Sequence, residues 1–299
     1  MGHDQRWNAN LQIGEQLHEA NLTAYTDQRE YHSAAYDGYL DTHIDSDGEG
    51  TWSFEDDASV NGGELVSPTM YDEPETWEKL EQAIKILRDN GAIPTVNAGG
   101  HVHVGTGFYR GSPAKYAELA RLMTQHEDVI YRLASDPERG THRGTGYTAP
   151  CLPVPSGGFT SISDVHDGGR GALNFGYVDG GRKDHPEFRV FDSTLDPGAV
   201  QAHIKMSVAM AHAAARIADS APTRRPKEAL GDHEKRATLL QRRTDEATYL
   251  EEDSSTVRSF LDTLFRRRED KAQLVSIFAS TKWAVNDGEY EQGRGRRFR

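Results

Sequence analysis

The chain has 299 residues, a formal net charge of −13 and a hydrophobic content of 36%. This acidic balance argues against nucleic acid as a partner, because phosphate binding needs a basic surface, and no apolar run approaches the roughly 20 residues of a membrane helix. The N-terminus lacks the pattern of a signal peptide, and the single cysteine, Cys151, cannot form an internal disulfide. We therefore expect a globular cytoplasmic protein with neither a membrane nor a nucleic-acid partner.

The first third of the chain alternates helical and extended patterns. Leucines at helical spacing predict a short helix over residues 9–26, and the turn-rich stretch 36–50 predicts a loop or hairpin. The strings "TWSFEDDAS" and "GGELVSP" predict two short strands. A further helix is predicted to begin at Pro74, where the missing N–H costs nothing, and to end at Gly91.

The middle of the chain carries the most regular strand patterns. The string "GGHVHVG" predicts a strand, and one helix is expected from Pro113 to Leu133. Residues 138–168 are rich in Gly, Pro, Ser and Thr, and we expect this long loop to cover a functional site and to set its specificity. The strings "GALNFGYV" and "HPEFRVFDSTLDP" predict two strands that pair across a Gly-Gly turn.

Helices are predicted for the rest of the chain. One begins at Pro197, and two more are expected at about residues 233–250 and 255–280. We expect a catalytic domain over residues 1–221 and a helical extension over residues 222–299. Paired strands with helices between them, without a strict βαβ alternation, favour an α+β fold with an antiparallel or mixed sheet and helices packed on one face.

Ionisable residues share one face of several predicted strands. A strand alternates its faces with period two, so His101 and His103 point one way and their valine neighbours the other. By the same spacing Glu187 and Arg189 share a face, and Glu64 lies on the polar face of its own strand. Carboxylates with an imidazole suit a divalent cation, and a guanidinium suits bidentate contact with phosphate. The alternative is a pair of histidines buried in a polar core.

The order of these motifs resembles that of the amidoligase family, a group of carboxylate–amine ligases with a glutamine-synthetase-like fold. The resemblance covers roughly residues 11–218 and rests on Asp57 and Ser59, "ELVSP" from Glu64, "GGHVHVG", Arg139 and Arg143, Arg170 with Asn174, and "EFRVFDSTLD" from Glu187. It implies a curved sheet over which ATP phosphorylates a substrate carboxylate. An amine then displaces the phosphate and leaves an amide or isopeptide bond.

The resemblance also implies roles for single residues and the cofactors ATP and Mg²⁺. The implied metal ligands are Glu64, His101 and Glu187, and the implied ATP-binding residues are His103, Arg170, Arg189 and Asn174. Arg189 and Arg170 would hold the γ-phosphate and the developing acyl phosphate, and His103 would meet the nucleotide phosphates, which makes these three the implied catalytic residues. In this arrangement "GGHVHVG" is the middle strand of the ATP-binding floor.

The chain departs from the family pattern near its start. In the family, a first strand carries a "G-x-E-x-E" pattern whose two glutamates are metal ligands. The nearest string here is "IGEQLHE", which lies inside a predicted helix. We expect either that the missing strand lies upstream of residue 1 or that this member has lost those ligands.

The sequence patterns leave three alternative functions open. The first is the ATP- and Mg²⁺-dependent ligase, whose partners would be a small-molecule or peptide carboxylate and an amine. The second is a catalytically degenerate scaffold of the same fold that binds a peptide or a partner protein. The third is a zinc hydrolase built on His101 and His103, although we expect His166 and His185 to be solvated in loops. The oligomeric state stays open.

Overall fold

A computed structural model of the chain divides into two compact units, Met1–Ala98 and Gly99–Arg299. The structure describes residues 3–30, 51–57, 60, 62–140, 154, 158–166, 171–181, 184–220 and 250–281. The predictions for the stretch 36–50 and for most of the loop 138–168 lie outside these residues. So do those for Ser59, Arg143, Cys151 and Arg170.

The first unit combines two helices with a pair of short strands. In chain order these are α1 (His3–Glu19), β1 (Ser53–Glu55), β2 (Glu64–Val66) and α2 (Pro74–Asp89). Both predicted strands are present and pair antiparallel, with Phe54 opposite Leu65. Helix α1 contains the string "IGEQLHE", as predicted. It ends earlier than expected because Asn21 takes a left-handed conformation, with φ at 55°, which is a common way to stop a helix.

The segment that leads into β2 passes very close to β1. A Cβ atom on Gly63 would lie 2.6 Å from the Phe54 ring and 2.8 Å from the Glu55 carbonyl oxygen. Real Cβ atoms do not approach other atoms so closely, so glycine is required where this chain enters β2.

The predicted helix at Pro74 is confirmed, and Gly91 follows it with φ at 78°.

The second unit contains a three-stranded antiparallel sheet and six described α-helices. The strands are β3 (Gly99–His103), β4 (Leu173–Asn174) and β5 (Glu187–Asp192), in the spatial order β3-β5-β4. The predicted pairing of the last two strands is confirmed. The prediction that "GGHVHVG" forms a middle strand is wrong for this sheet. Strand β5 occupies the middle because its Phe188 pairs with Val102 on one side and Leu173 on the other.

The helices of the second unit share one hydrophobic core with the apolar side chains of the sheet. They are α3 (Pro113–Gln125), α4 (Glu127–Leu133), α5 (Ile162–His166), α6 (Pro197–Ser220), α7 (Leu250–Leu264) and α8 (Arg268–Ser280). The single helix predicted from Pro113 to Leu133 is two helices, which meet at His126 with non-helical angles. Its apolar stripe is nevertheless buried throughout, so the periodicity identified the core side correctly.

The described residues therefore form an α+β fold with eight α-helices and small antiparallel sheets. The predicted helix over residues 233–250, except for its last residue, and the proposed domain boundary after residue 221 lie in residues 221–249, outside the described part of the chain. The single helix predicted at about residues 255–280 is two helices, α7 and α8. Helices α7 and α8 belong to the second unit and pack on α6. None of the described helices combines the length and the apolar character that a membrane crossing requires.

A buried arginine fixes the end of α8. Arg132 of α4 is 5% exposed. Its Nη2 donates to the carbonyl oxygens of Phe278 and Thr281 at 2.9 and 2.7 Å. The guanidinium also lies 3.6 Å from the centre of the Phe278 ring. It thus binds carbonyls that a helix end leaves without a helical partner, where a positive charge is favourable.

We predict that Arg132→Met lowers the free energy of unfolding of the second unit by about 2–4 kcal/mol, because two buried carbonyls lose a charged donor. Urea denaturation followed by circular dichroism measures the change. Arg258→Met is the matched control, since the Arg258 side chain is 86% exposed on α7 and its removal should leave the urea midpoint nearly unchanged. Equal losses in both variants would contradict the structural role of Arg132.

Candidate active site

The two histidines of β3 lie on the same face of the sheet, as the period of the strand predicts. His101 Nδ1 lies 3.3 Å and His103 Nε2 lies 3.9 Å from the same carboxylate oxygen, Oε1 of Glu187. Val104 is buried in the core, and Val102 packs against it. The histidine side chains are 32% and 22% exposed, so this face of β3 is only partly covered.

Strand pairing places three of the predicted site residues in one row. His103 of β3 and Asn174 of β4 both lie opposite Glu187 of the central strand. Directly opposed residues of antiparallel strands have neighbouring side chains on one face. The row explains why an amide, a carboxylate and an imidazole that are distant in sequence lie together.

Arg189 lies beside this row, two residues from Glu187 on the same face of β5 and at a β-bulge. The register shifts between Gly100 and Val102, so His101 alone lies opposite both Arg189 and Val190. A bulge of this kind bends a strand locally and re-aims its side chains. The Arg189 backbone N–H donates instead to Ala172 next to β4, at 2.8 Å, and its Nη1 donates to Glu187 Oε1 at 2.8 Å.

The carboxylate of Glu187 is the most buried group of the site, with a side chain 2% exposed. Its Oε2 accepts a hydrogen bond from Asn174 Nδ2 at 2.7 Å. Its Oε1 accepts from Arg189 and faces His101. Asn174 is itself oriented, because its Oδ1 accepts the backbone N–H of Gly176 at 3.0 Å and leaves Nδ2 directed at Glu187.

Electrostatics keep this carboxylate ionised. Burial acts to raise the pKa of Glu187, but the Asn174 hydrogen bond and the nearby His101, His103 and Arg189 outweigh it, so the pKa lies below its ordinary value. Burial lowers the pKa of His103 to about 4, against the opposing effect of Glu187. At neutral pH, His103 is therefore a neutral imidazole beside a negatively charged carboxylate.

Two aromatic rings complete the site, and neither was predicted. His185 stacks on Tyr177, with 4.8 Å between ring centres and 18° between planes, and both contact His103. The prediction that His185 is solvated is wrong, because the residue is 4% exposed. His166 is exposed, as predicted. His185 begins the string that predicts β5, and its sequence neighbours gave no sign that it is buried. In the structure its ring is stacked on that of Tyr177, eight positions earlier.

The loop that carries Tyr177 is fixed by one buried carboxylate. Asp184 Oδ1 accepts the backbone N–H groups of Asp179, Gly180 and Gly181 at 3.0–3.1 Å. Its Oδ2 accepts the hydroxyl of Tyr116, a core residue of α3, at 3.2 Å. The turn after Tyr177 is thereby tied to the core of the second unit.

Arg139 of the second unit does not join this group, and Glu64 belongs to the first unit. Arg139 forms an ion pair with Asp192 at 3.1 Å, and Asp192 lies opposite Gly99, at the other end of β5 from Glu187. Glu64 lies in the first unit, directly opposite Glu55 of β1. Glu55 is a buried carboxylate that accepts from Ser53 Oγ at 2.7 Å and was not predicted as a site residue.

The described residues of the second unit do not fit a resident Mg²⁺ ion. Mg²⁺ prefers several oxygen ligands, whereas the oxygens of Glu187 already accept hydrogen bonds from Asn174 and Arg189. Within the described part of the chain, no group of three His, Cys, Asp or Glu side chains is arranged to hold a metal ion. The zinc-hydrolase interpretation and the metal roles of Glu64, His101 and Glu187 stay predictions.

Comparison with known proteins supports the family predicted from the motifs. A family model described as "Putative amidoligase enzyme" matches residues 4–150. The matched part includes Glu64, His101 and His103 and ends before Asn174 and Glu187. No curated protein and no solved structure matches the chain, so the glutamine-synthetase-like fold also stays a prediction.

We predict that His103 makes the stability of the second unit depend on pH. Because its pKa falls from 6.5 to about 4 on folding, the unfolded chain binds the proton more readily between these values. Acidification from pH 7 to pH 5 should therefore cost about 2 kcal/mol of unfolding free energy through this residue.

Urea denaturation at the two pH values measures this effect. His103→Gln removes the titrating ring, and its stability should fall less on acidification than that of the wild type. His166→Gln, which changes an exposed histidine, should retain the wild-type dependence. A His103→Gln variant that loses as much stability as the wild type would refute the assignment.

Proposed function

Because residues 4–150 match the amidoligase family model, we propose that the protein is an ATP-dependent carboxylate–amine ligase. In this proposal ATP phosphorylates a substrate carboxylate, and an amine then attacks the acyl phosphate to form an amide or isopeptide bond. The observation that carries the proposal is the group of Arg189, His101 and His103 around the buried carboxylate of Glu187.

Phosphoryl transfer depends on positioning and on charge stabilisation more than on a nucleophilic side chain. Arg189 suits this task, because a guanidinium binds phosphate oxygens in a planar, bidentate fashion. Its side chain is 35% exposed while one nitrogen is held by Glu187, so the group is both oriented and accessible. We assign Arg189 to the transferred phosphoryl group and the acyl phosphate.

His103 is assigned to the nucleotide phosphates as a neutral hydrogen-bonding partner. Glu187 is assigned a positioning role, since it holds Arg189 at 2.8 Å and faces His101 at 3.3 Å. Asn174 acts through Glu187 by its hydrogen bond of 2.7 Å. Mg²⁺ enters this proposal with ATP, as the magnesium complex of the substrate.

Calorimetry tests whether the protein binds the nucleotide. We predict that a non-hydrolysable ATP analogue, titrated with MgCl₂ into the full chain, gives a saturable binding signal. We also predict that a panel of carboxylates and amines stimulates ADP release from ATP. A silent titration would refute the ligase and would favour the scaffold that binds a peptide or partner protein.

Replacement of Arg189 tests the assigned site. Arg189→Met should weaken binding of the ATP analogue by about 10- to 100-fold, because one charged hydrogen-bonding group to phosphate is lost. Arg258→Met, on the exposed face of α7, is the matched control and should bind as the wild type does. If Arg189→Met keeps the wild-type fold by circular dichroism and the wild-type affinity, the phosphates bind elsewhere.

A further inference from the structure

Tyr177 is a large aromatic residue that lies beside the proposed phosphate-binding group and has no role in it so far. Its ring centre lies 5.5 Å from that of His103, at an interplanar angle of 63°. The residue is 48% exposed, whereas tyrosines and phenylalanines of the core of the second unit, such as Tyr109, Tyr116 and Phe175, are buried. The ring therefore offers surface to a ligand at the edge of the site.

The position of this ring is set before any ligand arrives. One side stacks on His185, which is 4% exposed, and His185 also lies 5.2 Å from His103. The backbone after Tyr177 is held by Asp184, which accepts three backbone N–H groups of the turn. A ligand that stacks on Tyr177 thus meets a ring whose ordering is already complete, and such preorganisation favours binding.

The ring is suited to a planar, uncharged group. A tyrosine ring presents an aromatic surface and no formal charge of its own, so it is a poor partner for phosphate. Bases stack on such rings irrespective of their hydrogen-bonding pattern. In a nucleotide, the base is joined through the sugar to the phosphates that His103 is assigned to contact.

We propose that Tyr177 is the stacking surface for the nucleotide base, and that Tyr177 and His185 together form the base subsite of the ATP site. This inference rests on the proposed function, because it places the base next to the phosphates bound by His103 and Arg189. The ring stack suits a planar heterocycle. It does not by itself select adenine over another base.

The test compares two ligands that differ in the base. Magnesium tripolyphosphate carries the phosphate chain alone, and a non-hydrolysable ATP analogue with Mg²⁺ carries the base as well. Tyr177→Ala should weaken the analogue roughly 10- to 100-fold and should leave tripolyphosphate within about twofold of the wild type. Tyr177→Phe retains the ring and should bind both ligands as the wild type does.

Tyr71→Ala is the matched control, because Tyr71 is 66% exposed in the first unit and its loss should change neither affinity. The inference is overturned if Tyr177→Ala binds the analogue normally, which would leave the ring to an amine or peptide substrate. It is also overturned if both ligands weaken equally or if Tyr177→Phe loses affinity. Wild-type protein that binds neither ligand would instead refute the proposed function, and the inference with it.

Discussion

The buried carboxylate of Glu187 constrains every other group of the candidate site. An ionised carboxylate without water is strongly unfavourable unless hydrogen-bond donors surround it. At 2% exposure, Glu187 obtains those donors from Asn174 and Arg189, with His101 close by. Asn174, Arg189 and His101 lie on β4, β5 and β3 respectively, so the charge of one residue links the alignment of β3 and β4 to that of β5.

Strand pairing and the alternation of side chains bring the groups around Glu187 together. Regular pairing places His103 and Asn174 on either side of Glu187, and strand alternation puts Arg189 on the same face as Glu187, within hydrogen-bonding distance. The opposite face of the same strand packs Phe188 and Val190 into the core. A one-residue slip of β5 would move Glu187 into that core and the phenylalanine to the site, so hydrophobic packing and the polar network enforce the same register.

Local periodicity was sufficient to predict part of this structure. It placed His101 with His103 and Glu187 with Arg189, because a strand's alternation depends on adjacent residues alone, and the Gly-Gly turn predicted the pairing of β4 with β5. It did not identify the middle strand, the break at His126 or the burial of His185. Those features depend on contacts between segments that a single sequence does not specify: Phe188 pairs on both sides, and His185 is covered by Tyr177.

The charge balance of the site bears on the form of ATP in the proposed reaction. Glu187 and Arg189 carry opposite charges 2.8 Å apart, and His103, with a pKa of about 4, contributes no charge at neutral pH. These three residues together therefore carry no net positive charge to attract free ATP. Mg²⁺ bound to the phosphates lowers the negative charge that the site must accept, while Arg189 still supplies directed hydrogen bonds. For this reason the proposed substrate is the magnesium complex, and Arg189 acts through geometry more than through an excess of charge.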